Sequence, residues 1–259
     1  MALQCEVICI CVPGPAEMQL VTVGPGGILE GVKAGSVVID LTTNAPAVVR
    51  EVGEPLKARG AHLLDAPLDG GREGALAGQV TLFVGGDPVI LGQVKPVLDT
   101  FSKSVVWVGE LGTGSITKIV HNALAMSIDL LLAECLTLGA KAGVAVPRLV
   151  EAFREGCIVS QNMTFTKRMP ATLFRGDFTA RFALALAHKD FRLAGDLAAQ
   201  HGVPTRLARS LPDGAAGGDE SRLGRSGPHS GVHPPGGARR REAETLVLTR
   251  SLGCPDLLW

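Results

Sequence analysis

Five short apolar runs alternate with helix-like stretches across the first 110 residues, and this alternation limits the chain to few architectures. The runs are Val7 to Val12, Ser36 to Asp40, His62 to Ala66, Val80 to Val84 and Val105 to Val108. Each is nearly continuous in apolar character, as in a strand buried on both faces, and glycine or proline turns follow several of them, such as Pro13-Gly14-Pro15. Pro46 to Gly60 is helical in pattern, with Pro55 expected to break or kink it. Asp87-Pro88 is a good helix start for the segment to about Phe101, with Asp87 as cap and Pro88 in the first turn. Strands and helices in this order predict a largely parallel α/β sheet. Ligands of such sheets bind beyond the carboxyl ends of the strands, where Val12-Pro13, Thr43 and Asp65 to Gly71 lie.

A different pattern begins at Gly112. The stretch from there to about Gly139 is rich in Ala, Leu, Ile and Met and has no proline. Ser115 or Thr113 is a plausible N-cap, and the helix would run roughly 40 Å at ~1.5 Å per residue. Apolar residues cover nearly every face beyond its first two turns, which predicts burial between two parts of the molecule. Pro147 to Cys157 and Asp177 to Gly202 also read as helical, and no strand candidate interrupts them. The expected organisation is therefore a sheet domain over residues 1–111, an all-helical domain over 112–210, and a tail over 211–259. That tail is crowded with Gly, Pro, Arg and Ser, has lost apolar periodicity, and carries the basic cluster Arg239 to Arg241.

Composition excludes several classes. Net charge is +0, and aromatic residues make up 4% with no tyrosine, so neither a phosphate-binding basic face nor a base-stacking platform is expected. Nucleic acid and membrane partners are not expected. The six cysteines form no C-x-x-C pair; Cys5, Cys9 and Cys11 fall in or beside the first strand, and free buried thiols in a reducing, cytoplasmic compartment are the expectation. The N-terminal residues lack the charged and apolar regions of a signal peptide. No His, Cys, Asp and Glu spacing suggests a metal, and no serine has the context of a hydrolase nucleophile.

The strongest chemistry lies at the start of the long helix. Lys118 and Asn122 are spaced i, i+4, so their side chains share one face within two turns. The positive end of the helix dipole and burial both disfavour an ammonium ion there, and a lysine so placed can trade a proton. Asn122 could orient either the lysine or a substrate hydroxyl. A snorkelling surface lysine beside a polar asparagine is the alternative reading. Gly70-Gly71 places successive backbone N–H groups after a strand, where they can form a concavity for an anion, or simply a loop.

Three runs decide between these readings together. Asp65-Ala66-Pro67-Leu68-Asp69-Gly70-Gly71, the Gly112 to Asn122 run with its Gly-x-Gly-x-x-x-Lys-x-x-x-Asn spacing, and Lys189-Asp190-Phe191-Arg192-Leu193-Ala194 occur in this order. The chain resembles the β-hydroxyacid dehydrogenase family, which includes 3-hydroxyisobutyrate dehydrogenase and tartronate semialdehyde reductase, from about Cys5 to Ser210. The resemblance implies a Rossmann-like parallel sheet domain followed by an all-helical domain through which the family commonly dimerises. It implies hydride transfer between NAD or NADP and a short hydroxyacid or its semialdehyde. Lys118 would then move the proton on the substrate oxygen and Asn122 would orient it. Gly70 and Gly71 would hold the acidic end, and Val12, Pro13, Thr43 and Lys189 would line the nicotinamide side. The family has a serine or threonine where this chain has Asp69, whose carboxylate would repel a substrate acid; Arg72 nearby offers compensation.

The departures from the family are as informative. No strand, G-x-G-x-x-G and helix precede Cys5, and the glycine cluster Gly24 to Gly31 has the wrong spacing and a proline. By the family's layout the sheet domain is truncated by its first β-α-β unit, so NAD(P) binding by these 259 residues is expected to be impaired. An inactive isoform acting through partners or dimerisation is the alternative to the enzyme.

Overall fold

The computed structural model describes residues 2–156, 169–177 and 182–204. The strands are β1 (Val7–Ile10), β2 (Val37–Asp40), β3 (His62–Asp65), β4 (Leu68–Asp69), β5 (Val80–Gly85) and β6 (Ser102–Gly109). The helices are α1 (Pro15–Val23), α2 (Ile28–Gly31), α3 (Pro46–Ala58), α4 (Gly71–Leu76), α5 (Pro88–Leu98), α6 (Thr113–Lys141), α7 (Val146–Glu155), α8 (Met169–Ala171) and α9 (Leu184–Gln200). Among the described residues no strand follows β6. The expected tail over 211–259, with Arg239 to Arg241, lies outside the described residues.

β1, β2 and β3 pair in parallel, as do β5 and β6, while β5 runs antiparallel to both β3 and β4. The apolar runs become strands because both faces of the central ones are covered. On β2, Val37 and Ile39 join the core formed with Ile90, Leu91, Val94 and Leu98 of α5, whereas Val38 points to the core of Met18, Val49, Val52 and Leu56 from α1 and α3. The same division separates Leu64 from Leu63 on β3. At the end of the sheet β1 pairs, among the described residues, with β2 alone; Ile8 and Ile10 are buried while Cys9 and the following Cys11 are exposed. The expectation of buried thiols is corrected here: among the described residues Cys9, Cys11 and Cys135 are free but exposed.

Two local expectations also change. α3 runs on through Pro55 to Ala58. Proline removes the bond to the carbonyl of Glu51, and Glu51 is on the exposed side of the helix where water can satisfy it. α6 is not buried on all sides, since Val120, Leu124, Leu131 and Leu138 are exposed. It is long and apolar enough to cross a membrane by composition; its first turn is fastened to the sheet, as shown below, and Leu132 and Leu136 are buried with Val150 and Met169. Asp87 caps α5 as read, accepting from the Val89 N–H at 2.8 Å with Pro88 next in the first turn.

The described residues fall into two compact units. One holds the sheet, α6 up to Ala123, and the segment from Ala185 that forms α9; the other runs from Leu124 to Leu184. α9 belongs with the sheet because Lys189 donates to the Thr43 carbonyl in the loop after β2 and Asp190 accepts from Asn122 near the start of α6. All the site residues discussed next lie in that one unit.

Candidate active site

Ile10, Asp40 and Asp65 stand level across β1, β2 and β3 as register partners at the carboxyl ends of the strands. Two buried carboxylates therefore sit side by side. Asp40 accepts from the Thr42 N–H at 3.0 Å and the Asn44 Nδ2 at 2.9 Å. Burial raises its pKa, while those bonds and the charge of Lys189 pull it back. Asp65 accepts from the N–H of Gly112 at 2.8 Å on Oδ1 and of Ser115 at 2.7 Å on Oδ2. Burial pushes its pKa up to about 6, against the pull of these bonds and with help from neighbouring Asp40.

These bonds correct the reading of how α6 starts. Neither Thr113 nor Ser115 is the N-cap; the free N–H groups of the first turn are satisfied by a carboxylate from a strand some 50 residues earlier. Gly85 and Gly114 make the approach feasible. A Cβ on Gly114 would run into the backbone carbonyls of Phe83 and Asp65, and one on Gly85 would meet Asp65 Oδ1 and the Gly114 N–H. The helix is thus locked onto β3 and β5, which fixes where Lys118 stands.

The raised Asp65 pKa has a definite sign in stability. The fold favours the protonated acid, so the contribution is most favourable below about pH 4 and is lost as pH rises through about 6; a rise from the ordinary 3.8 to about 6 corresponds to about 3 kcal/mol at full effect. Between pH 4 and pH 7, Asp65→Asn is expected to gain up to that amount relative to the unsubstituted chain, measured by urea unfolding of both. A difference that stays flat with pH would show that Asp65 titrates where an unburied aspartate does.

Lys118 is buried at 7% exposure, and its Nζ donates to Asp69 Oδ1 at 2.9 Å. Asp69 comes from β4, the short strand that the sequence reading missed, which pairs with β5 through Leu68–Leu82 and Asp69–Thr81. His121 Nδ1 is 3.6 Å from the same Oδ1 and tilts its ring against Phe83. Burial acts to raise the Asp69 pKa, but the bond and charge of Lys118 and then His121 outweigh it and hold the group below its ordinary value. The structure makes Asp69 the counter-ion of Lys118.

Asn122 does not bond Lys118. Its Nδ2 donates to Asp190 Oδ2 at 2.7 Å, leaving the amide oxygen 3.5 Å from His121 Nδ1. Asp190 is 1% exposed and its Oδ1 lies 3.1 Å from Lys189 Nζ. Lys189 in turn donates to the Thr43 carbonyl at 2.8 Å, and a Cβ built on Gly14 would meet its stem at 3.3 Å. The Val12 N–H donates to Thr42 Oγ1 at 3.2 Å, so Val12, Thr43 and Lys189 converge where β1 and β2 end; Pro13, next to Val12, is exposed. Gly70 and Gly71 have φ of 128° and 60°, which L side chains rarely adopt, and both are exposed together with Arg72. Three positions with structural work here were not assigned it from the sequence: Asp65, Asp190 and His121. All three sit inside recognisable runs, but nothing in their spacing reveals what each bonds.

Residues 1–109 match the family model described as the NAD binding domain of 6-phosphogluconate dehydrogenase, and residues 112–219 match the one described as NAD-binding of NADP-dependent 3-hydroxyisobutyrate dehydrogenase. The chain is 31% identical over 220 residues to 2-(hydroxymethyl)glutarate dehydrogenase of Eubacterium barkeri, covering 85% of this chain and 72% of that one. It is 31% identical over 221 residues to 3-hydroxyisobutyrate dehydrogenase of Pseudomonas aeruginosa, covering 81% and 74%. The crystal structure of 3-hydroxyisobutyrate dehydrogenase from Salmonella typhimurium superposes with a TM-score of 0.70 at 29% identity, covering 81% of this chain and 72% of that one. Both matched models describe NAD-binding regions, and NAD(P) is the cofactor they imply. With the three sequence runs gathered at one end of the sheet and relatives of this identity and coverage, the chain belongs to the β-hydroxyacid dehydrogenase family.

Proposed function

We propose that this site serves NAD(P)-dependent hydride transfer on a short β-hydroxyacid or its semialdehyde. The observation that carries the reading is the convergence of Lys118 and Asn122 from α6 with Lys189 from α9 at the carboxyl ends of β1 to β3. NAD(P), when bound, supplies the hydride acceptor or donor. Lys118 moves the proton at the substrate oxygen, and its burial keeps it dry enough for its charge to matter. Asn122, with its Nδ2 held by Asp190, offers its amide oxygen to orient the substrate hydroxyl. Gly70 and Gly71 receive the acidic end, and Val12, Pro13, Thr43 and Lys189 meet the nicotinamide half.

The residues present fit that half of the cofactor. Thr43 and Lys189 are bonded together beside Gly14, a position where a side chain would crowd the lysine stem. For the pyrophosphate the 259 residues hold no G-x-G-x-x-G. A second reading, in which these residues act as a dimerising or partner-binding protein, draws on the helical unit, where Leu131 and Leu138 are exposed. Calorimetric titration with NADH and NADPH separates them. The chain as written is expected to bind at best weakly, and a form extended by a strand, glycine-turn and helix unit is expected to bind in the micromolar range and to reduce short semialdehydes. Micromolar binding by the chain as written would mean that another loop holds the phosphates, and an extended form that binds cofactor yet turns over no hydroxyacid or semialdehyde would favour the second reading.

A further inference from the structure

The ammonium of Lys118 already has a carboxylate beside it. Asp69 Oδ1 accepts from it at 2.9 Å, so a substrate carboxylate cannot approach the lysine from the β4 side without displacing or abutting a second negative charge. The pair is unevenly exposed: the lysine side chain is 8% accessible and that of Asp69 34%, so the face met from solvent is the carboxylate. Asp69 is held ionised by Lys118 and His121. A carboxylate has room for about four hydrogen bonds; the Lys118 ammonium on Oδ1 and the Gly70 backbone N–H take up part of that capacity and leave the rest for a ligand. His121, at 3.6 Å, lies outside hydrogen-bond reach.

We propose that Asp69 is a specificity-determining residue that recognises an ammonium group on the carbon next to the carbinol, and that disfavours a carboxylate at that position. This rests on the reading that Lys118 addresses the reacting oxygen. The 2.9 Å between Lys118 Nζ and Asp69 Oδ1 is a separation that the oxygen and nitrogen of a gauche vicinal amino alcohol span, so the hydroxyl can meet the lysine while the ammonium meets the aspartate. Any carboxylate the substrate also carries is directed away from β4. The substrate class is thereby narrowed to β-hydroxy compounds bearing a vicinal amine.

The test is ligand-observed saturation-transfer NMR on the whole chain, with and without NADP+, using serinol, propane-1,3-diol and 3-hydroxypropanoate. Serinol and the diol differ only in the ammonium. Serinol is expected to bind about tenfold or more tightly than the diol, the scale of one charge-assisted hydrogen bond, with 3-hydroxypropanoate weakest. Asp69→Asn, which keeps the shape and removes the charge, is expected to erase the preference for serinol, and Asp69→Ser to raise 3-hydroxypropanoate above it. 3-Hydroxypropanoate binding more tightly than serinol to the unsubstituted chain, a serinol preference that survives in a folded Asp69→Asn protein, or no binding of any probe would each overturn the proposal. Lys118→Ala distinguishes the two readings. If it leaves every affinity unchanged while the serinol preference still depends on Asp69, the aspartate reads the ammonium and the placing of Lys118 at the reacting oxygen is wrong.

Discussion

Gly114→Ala is expected to destabilise the chain by about 3 kcal/mol, at the upper end of what one added methyl does in a packed interior. The added carbon would be driven into the backbone carbonyls of Phe83 on β5 and Asp65 on β3, with Asp65 Oδ2 at 3.0 Å. Backbone atoms of a sheet do not swing aside as a side-chain tip does. The helix would have to lift, and lifting it breaks the bonds from Gly112 and Ser115 to Asp65. Gly92→Ala is the matched control. Gly92 lies inside α5 with nothing within 4 Å of a built Cβ, so alanine there should stabilise by roughly 0.5–1 kcal/mol through helix propensity. Urea unfolding of the two variants reads both; similar effects from the two substitutions would show that the junction between α6 and the sheet is looser than its geometry implies.

Such a junction explains why part of the site is readable in the sequence and part is not. The i, i+4 spacing of Lys118 and Asn122 is a property of any helix, so their common face follows as soon as the run from Gly112 is read as helical. Asp87-Pro88 likewise announces itself, because the cap and the residues it caps are neighbours. The partners of Lys118 and Asn122 are Asp69 and Asp190, 49 and 68 residues away, and no local pattern encodes those pairings. β4 was invisible for a related reason: two residues, Leu68 and Asp69, cannot show a strand period, and they are strand only because β5 offers them an edge. The burial expected for α6 failed because apolar composition reports what a helix can bury, and says nothing about whether a neighbour covers Leu124, Leu131 or Leu138. The register that levels Asp40 with Asp65 is in the same category, since each reads as an unremarkable strand-end residue until the strands are aligned.

Lys118 carries the account's central claim. It is the group nearest complete burial among the proposed catalytic residues, and it is fixed from both ends: its helix is locked by Asp65 and its ammonium is held by Asp69. If it moves the proton at the substrate oxygen, its loss acts on the chemical step and leaves cofactor recognition alone, because Thr43 and Lys189 are bonded to each other and not to it. The direct measurement is steady-state turnover of a short semialdehyde by the cofactor-binding extended form and by its Lys118→Ala variant, with NADPH affinity determined for both. The account predicts that kcat falls by roughly 10²–10⁴ while NADPH affinity changes little. A variant that retains near-normal kcat would contradict it.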